Sequence, residues 1–403
     1  MDFIVLILGS DINAYYMARC YYEKYGKKAN MIGKLAMNFT SYSKIIDLEI
    51  YPDLQEKDSF LRILKSFYLK HKDKKILLIG SNDNYVRLII ENQDFLSQYY
   101  IFHHFSVDVL NSLLLKDKFY STYKELPIPS TYIYNVNEEL NLNSISSFGY
   151  PLILKPGDGI LYHEHEFFAQ HKVYKIKDEK ELFDVINKIK KSGYNGNLII
   201  QEFIDGDDSY LFDCVAYKDR LGNVKLMTFA QIGLQEHTIT GIGNATVLVN
   251  GFNSFGQTEE TVIKLKQFLD NFDYHGFLEF DLKYDVKSKE FKVLEINPRQ
   301  ARSSYYLTYM GYNLVEYLVN DLIFKKDFQF VFIKDKVCLS FVPKIVIKKY
   351  IKNSKLKKEI LRLYKEKKVI NPLKCKKDNL LKRKLWLSVR DINYLKKYKK
   401  NSW

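Results

Sequence analysis

Glu279, Asp281, Glu295 and Asn297 are the residues of this chain best placed to do chemistry together. Gly276-Phe277-Leu278-Glu279-Phe280-Asp281-Leu282 alternates with period two and reads as a strand, so Glu279 and Asp281 share a face. Phe291-Lys292-Val293-Leu294-Glu295-Ile296-Asn297 alternates likewise and puts Val293, Glu295 and Asn297 on one face of a second strand. Pairing the two strands would gather two or three carboxylates and an amide oxygen around one point. Oxygen ligands without His or Cys suit Mg²⁺, with Mn²⁺ as a substitute, above all where nucleotide phosphates complete the octahedron. Arg299 and Arg302 follow at once and can aim guanidinium groups at a transferring phosphate or a carboxylate. A solvated strand face is the plain alternative, but Asn-Pro-Arg directly after the acid has no evident packing purpose.

The elements that must position these residues belong to a chain of 403 residues, long enough for two or three domains. Composition is globular, 46% hydrophobic and 27% charged. The formal charge of +14 favours acidic partners such as nucleotides, sugar phosphates, nucleic acid or an anionic membrane surface. Much of that excess lies after Phe324, so it need not describe the catalytic body. Cys20, Cys214, Cys338 and Cys375 are scattered without CxxC spacing, which suits free thiols in a reducing cytoplasm and excludes a disulfide framework. Phe3 to Leu8 is too short for the core of a signal peptide, and no apolar run approaches the length of a membrane span. A cytoplasmic protein is expected.

Phe3–Leu8 reads as a buried strand stopping at Gly9-Ser10-Asp11, followed by a helix from about Asn13 to Tyr25 and a strand at Ala29–Ile32. The grammar recurs at Lys75–Ile79, Gly80–Asp83 and a helix through Val86 to Glu91. This predicts a parallel α/β domain over residues 1–115, with ligands beyond the carboxyl ends of its strands, at Gly9–Asn13 and Gly80–Asn84. Neither turn is a GxGxxG fingerprint, and ordinary helix capping explains them equally well. A connecting helix is expected from Val107 to Leu126. A strand begun in Gly149–Pro156 then leads into Gly157-Asp158-Gly159, and further strands are expected at Lys172–Ile176, Leu198–Ile204, Leu211–Tyr217, Val224–Gln231 and Thr246–Val249. Helices read at Glu179–Lys191 and Thr258–Asn271, and one at Lys355–Lys367 in the basic segment after Phe330.

Pro151-Leu-Ile-Leu-Lys155-Pro, Gln201-Glu202-Phe203-Ile204-Asp205-Gly206-Asp207-Asp208, and Glu279 followed by Glu295-Ile-Asn297-Pro-Arg299 together resemble the ATP-grasp ligase superfamily. The likeness spans roughly residues 110–320, in the family's order and approximate spacing. A narrower likeness, carried by Leu8-Gly9-Ser10-Asp11-Ile12-Asn13-Ala14-Tyr15, Met17-Ala18-Arg19 and Tyr25-Gly26-Lys27-Lys28, covers nearly the whole chain and points to bacterial D-aspartate ligases. The resemblance implies an α/β (α+β) ATP-grasp fold. Its parts would be a substrate-binding α/β domain at 1–115, a catalytic region at 116–325 with a lid at about 130–205, and a basic extension at 326–403.

It also implies roles. Lys155 and Lys118 would meet ATP phosphates, although a solvated helix lysine is an even alternative for Lys118. Gln201, Glu202, Phe203 and Ile204 would form the adenine hinge, and Asp208, or Asp207 in its place, would grip ribose. Glu279 or Asp281, with Glu295 and Asn297, would hold Mg²⁺. Arg299 and Lys155 would hold the transferring phosphoryl group, and Arg302 the acyl phosphate or substrate carboxylate. Gly157-Asp158-Gly159 would be a flap over the phosphates, and His163 and His165 after it read as surface residues. Gln235-Glu236-His237 and Gly241–Asn244 would border the acceptor pocket, and a plain loop explains them nearly as well. The implied reaction joins a carboxylate, D-aspartate by resemblance, to an amine of a nucleotide-linked muramyl peptide. No nucleic-acid or membrane-spanning partner is implied, and a homodimer is compatible. The rivals are an ATP-grasp ligase for other acids and amines, and a basic nucleic-acid binder using Lys382-Arg383-Lys384, Trp386, Arg390, Tyr394 and Lys396–Lys400.

Overall fold

The computed structural model describes residues 2–236, 238 and 241–400. The chain opens with β1 (Phe3–Leu8), α1 (Ile12–Tyr25), β2 (Ala29–Gly33), β3 (Ile46–Ile50), α2 (Lys57–Lys70), β4 (Lys75–Gly80) and α3 (Asp83–Glu91). The four strands are parallel in the order β3-β2-β1-β4. Uninterrupted apolar runs favour that arrangement because helices cover both faces. Asp11 and Asn82 cap α1 and α3 by accepting from Ala14 N and Tyr85 N, so both helix starts sit at the carboxyl edge of the sheet. The strand β3 escaped the sequence reading because it is an edge strand whose Asp47 is exposed and whose Glu49 is half-buried.

Two helices, α4 (Val107–Leu114) and α5 (Lys116–Thr122), replace the single expected connecting helix. Leu115 is extended between them, at φ −89° and ψ 114°, and Lys116 N donates to Gly157 O at 2.8 Å. A tertiary hydrogen bond fixes the break, and no local periodicity reports such a bond.

The segment expected as the lid comprises β5 (Thr131–Asn135), β6 (Leu152–Pro156), α6 (Gly159–Glu164), β7 (Tyr174–Ile176), α7 (Glu179–Lys191) and β8 (Asn197–Glu202). Its sheet runs β5-β8-β6-β7, antiparallel throughout. The α7 stripe Leu182, Val185, Ile186 and Ile189 packs on Leu154, Leu198 and Ile200 as a core of its own.

The body contains β9 (Leu211–Lys218), β10 (Val224–Thr228), β11 (Ala230–Gln235), β12 (Ala245–Asn250), α8 (Thr258–Asp270), β13 (Gly276–Asp285) and β14 (Glu290–Asn297). The expected strand Val224–Gln231 is two strands parted at Phe229, where Thr228 Oγ1 accepts from Val215 N in place of a ladder bond. After α9 (Leu314–Leu322) come β15 (Val331–Ile333), β16 (Val337–Ser340), α10 (Lys344–Tyr350), α11 (Ser354–Lys365), β17 (Val369–Ile370) and α12 (Leu381–Lys400). The residues expected as a basic extension therefore continue the body's sheet, in the order β14-β13-β9-β11-β12-β16-β17. Val346, Ile347, Leu356, Ile360 and Leu363 bury against Leu234, Val247 and Val249, and Tyr394 and Tyr398 of α12 close that core. All four cysteines are free and buried.

The segment before α12 also locks onto the first domain. Asp378 accepts from Tyr15 Oη at 2.9 Å, Ser43 Oγ at 2.8 Å and Lys44 N at 2.9 Å. Its carboxylate lies 3.3 Å from Arg383 Nε, and both side chains are fully buried. Arg383 also donates to Phe39 O at 2.7 Å and stacks 3.8 Å from the Tyr15 ring. Removing one partner of such a pair leaves an uncompensated buried charge. Asp378→Ala is therefore expected to destabilise the protein by about 3–5 kcal/mol in urea unfolding, and a loss below about 1 kcal/mol would show that the pair does not hold the two segments together.

Candidate active site

Strand register builds the site. Across β13 and β14, Glu279 faces Asn297 and Asp281 faces Glu295. On the other side of β13, Asp281 faces Asp213 of β9. The apolar alternates Leu278, Phe280 and Leu282 point into the core, so the polar set is turned to the opposite face. Asn297 Nδ2 donates to Asp281 Oδ2 at 3.1 Å and approaches Glu279 Oε2 at 3.5 Å. The amide thus offers its nitrogen to the carboxylates, while its oxygen accepts from Arg299 Nη2 at 3.2 Å.

Gathering these acids in a buried place raises their proton affinity. Burial, followed by the charges of Asp213 and Asp281, pushes the Glu279 carboxyl well above its usual range. Burial and the neighbouring Glu295 do the same to Asp281. Asp213 is pushed up to about 6 by burial, although Ser303 Oγ donates to it. Glu295 goes the other way: Lys116, 3.0 Å from its Oε2, holds it well below the usual range, with Lys172 and Lys155 adding to the effect.

Lys155, on β6, is buried. It donates to Tyr120 Oη at 2.9 Å and is pulled down to about 7 by burial and by the charge of Lys116. Lys118 is exposed and does not line the cavity, whereas Lys116 does. Helix geometry explains the difference. Phe119 and Tyr120 are buried, and Lys116 lies three and four residues before them on the same face.

Arg299 Nε donates to Asp83 Oδ1 at 2.6 Å, and its Nη1 lies 3.6 Å from Glu279 Oε2. The first residue of α3 thereby orients an arginine of the body. Arg302 Nη2 lies 3.6 Å from Glu236 Oε2. Glu236 accepts from Tyr394 Oη at 2.9 Å and Lys397 Nζ at 2.8 Å, both on α12. His237, expected beside it, lies outside the described residues.

A cavity of about 550 Å³ is lined by Asp213, Glu279, Asp281, Glu295, Asn297, Arg299 and Arg302. Lys116 and Lys172, Asn13 and Ile12 of α1, and Asn82, Asp83, Asn84 and Arg87 around the start of α3 complete its main walls. The two turns of the first domain thus do face the site. Gly157, the first residue of the expected flap, is a glycine by necessity, because a Cβ there would sit 2.9 Å from Asn197 O. The expected flap, Gly157-Asp158-Gly159, leads into the start of α6, where Asp158 accepts from Ile160 N and Leu161 N. His163 lines the cavity, while His165 turns to Ser192 O at 3.3 Å.

The hinge residues do not line this cavity. Gln201 Nε2 donates to Thr131 Oγ1 at 2.7 Å, and Glu202 Oε1 accepts from Ser130 N at 2.8 Å. Ile204 is buried, and the Phe203 ring lies under Lys175 and Lys283 at 4.0 and 5.3 Å. Asp208 accepts from Gln235 N at 3.1 Å and Gln235 Nε2 at 2.7 Å, and Asp207 accepts from Ser209. Both acids therefore have partners within the protein.

The donor set fits a hard divalent ion in kind. It is all oxygen, it carries surplus buried negative charge, and Asp213 Oδ1 is buried without a hydrogen-bond partner. Among the described residues no three His, Cys, Asp or Glu side chains form a ready-made cage. An ion held there would have to draw further oxygen ligands from water or phosphate.

No family model matches the chain. It is 33% identical to the D-aspartate ligase of Enterococcus faecium over 414 residues, covering 99% of this chain and 96% of that one. The chain belongs to the D-aspartate ligase family. Among solved structures it resembles N5-carboxyaminoimidazole synthetase from Staphylococcus aureus complexed with ADP (TM-score 0.61, 13% identity, 84% and 82% of the two chains covered). It also resembles L-amino acid ligase from Bacillus licheniformis (0.58, 15%, 80% and 74%) and D-alanine–D-alanine ligase from Bacillus anthracis (0.51, 14%, 80% and 97%). These likenesses establish the ATP-grasp fold. This D-aspartate ligase family member is an ATP-dependent carboxylate–amine ligase.

Sequence reasoning missed Asp213, Lys116 and Lys172. A lone acid inside the apolar strand Leu211–Lys218 was the available signal for Asp213. For Lys116 the signal was its phase with Phe119 and Tyr120.

Lys155 gives a proton-linkage prediction. Below pH about 7 it is an ammonium and above it largely a neutral amine. If nucleotide phosphates lie beside it, as the resemblance implies, they favour the ammonium, so binding at pH 8 should take up about one proton, fading towards pH 6. Calorimetry with ADP and no divalent ion, in two buffers of different ionisation enthalpy, reads this directly. Lys155→Met should abolish the buffer dependence, and uptake that survives the substitution would assign the proton elsewhere.

Proposed function

We propose that this ligase uses ATP to add D-aspartate to the side-chain amine of a lysine in a peptidoglycan precursor peptide. The observation that carries this reading is the near full-length similarity to the Enterococcus faecium enzyme. A dicarboxylic substrate agrees with the wall of the cavity. Arg87 and Arg302 both line it, and each has a buried Nε with no hydrogen-bond partner. One carboxylate could be held by a guanidinium while the other reacts.

The reaction transfers the γ-phosphoryl group of ATP to a substrate carboxylate, giving an acyl phosphate and ADP. The amine nitrogen then attacks the acyl carbon, the C–O bond to phosphate breaks, the nitrogen loses a proton, and inorganic phosphate leaves. Lys116, Lys155 and Lys172 oppose the growing charge on phosphate oxygens. Arg299, held by Asp83, directs its guanidinium into the same space, and Arg302 is positioned by Glu236 for the substrate carboxylate. Glu279, Asp281, Glu295 and Asn297 would hold Mg²⁺ (or Mn²⁺), whose chemistry is neutralisation of phosphate charge. Asn297 can present its oxygen by a half-turn of the amide. Catalysis is then positioning and charge compensation, with no covalent protein nucleophile.

The deciding experiment combines purified protein, ATP, Mg²⁺, D- or L-amino acids and lysine-containing muramyl peptides, read by product mass. ADP formation that requires both D-aspartate and the peptide, with a mass gain of one aspartyl unit, is expected. Turnover with a different acid or acceptor would retain the ligase class and overturn the substrate assignment. In the same assay Glu295→Gln should lower kcat by about 10²–10³-fold, and an undiminished rate would remove Glu295 from the machinery.

A further inference from the structure

The outward face of α12 has no role in the ligation site. The helix buries Arg383, Leu387, Tyr394 and Tyr398 against the body. On the opposite side Leu381, Leu385, Val389, Ile392 and Leu395 stand 72%, 60%, 56%, 54% and 38% exposed. Their spacing of four, four, three and three residues traces one continuous apolar stripe, about 21 Å long at 1.5 Å per residue. A stripe of that length on a monomer's surface marks an interaction site rather than scattered exposure.

Its flanks are basic. Lys382, Lys384, Lys396, Lys399 and Lys400 are exposed on the same helix. Its lone acid, Asp391, is held by Lys374 at 2.8 Å. The adjoining α10 adds exposed Ile345, Lys348 and Lys349. No helix of the described residues is long and apolar enough to cross a membrane. An aliphatic stripe edged by lysines is instead the pattern of a helix lying in the plane of an anionic bilayer.

We infer that α12 docks this ligase peripherally on an anionic lipid surface, its leucine–valine–isoleucine stripe entering the headgroup boundary and its lysines meeting lipid phosphates. Two other occupants fit less well. A second copy apposed through the same face would bring two lysine-edged stripes together, with like charges opposed. A single-stranded nucleic acid needs exposed aromatic platforms. Here Tyr394 and Tyr398 are buried, and Trp386 packs edge-on against Phe39 at 5.2 Å.

Flotation of the full-length protein with vesicles of phosphatidylglycerol and phosphatidylcholine in equal parts tests the inference. At least tenfold tighter binding than to phosphatidylcholine alone is expected, weakening as salt rises from about 0.1 to about 0.5 M. The triple variant Leu385→Asn, Val389→Asn, Ile392→Asn should lose at least tenfold in vesicle binding while retaining its melting temperature and vesicle-free ATP turnover. Equal binding to neutral and anionic vesicles by the unaltered protein would overturn the inference, whatever the variant does. So would undiminished binding by the variant, or a concentration-dependent dimer, abolished by the variant, in a protein that ignores vesicles.

Discussion

Four carboxylates, Asp213 and Glu279 buried and Asp281 and Glu295 half-buried, share one face of the sheet because β-sheet register leaves them no alternative. Once Leu278, Phe280 and Leu282 are committed to the core, Glu279 and Asp281 must face the other way, and pairing brings Asn297, Glu295 and Asp213 beside them. Uncompensated, each buried charge would cost several kcal/mol. The compensation comes from separate parts of the chain: Lys116 from the connecting helix, Lys155 from the lid, and Arg299 from the turn after β14. Charge balance therefore holds the parts of the molecule around one point, and that point is where phosphate chemistry is proposed to occur.

The balance is incomplete, which is what a nucleotide-handling site requires. Glu279 and Asp281 are raised in proton affinity and Lys155 is lowered, so the protein's own groups hold both kinds of charge at a disadvantage. A cation on one side and phosphate oxygens on the other would relieve both.

Period-two alternation was enough to read β13, but β14 only in part. The register shifts between Asp281 and Leu282, so Val293, expected on the face of Glu295 and Asn297, joins Leu282 in the core, while Glu295 and Asn297 still stand opposite Asp281 and Glu279. The strands β1, β2 and β4 and the helices α1, α3 and α7 were legible for the same reason, since their patterns are local. What could not be read depended on distant partners. The break at Leu115 rests on a bond to Gly157, and the split at Phe229 on Thr228 reaching Val215. The carboxyl-terminal segment looked like a basic appendage because lysines on its outer faces dominate its composition. The residues that weave it into the sheet and the α12 core are few: Val337 to Ser340, Val369, Ile370, Tyr394 and Tyr398. Lys118 was preferred to Lys116 because the motif was weighed without its helical phase.

The clasp around Asp378 has a consequence for synthesis. Tyr15, Ser43 and Lys44 of the first domain share an acceptor that is made 334 to 363 residues after them. A nascent chain emerging from the ribosome would hold its opening α/β unit with that acceptor missing, and the Tyr15 hydroxyl would stay wet until Asp378 arrived. Docking of the first domain on the segment around Asp378 should thus follow the synthesis of both, as a closing step between parts of the polypeptide far apart in sequence.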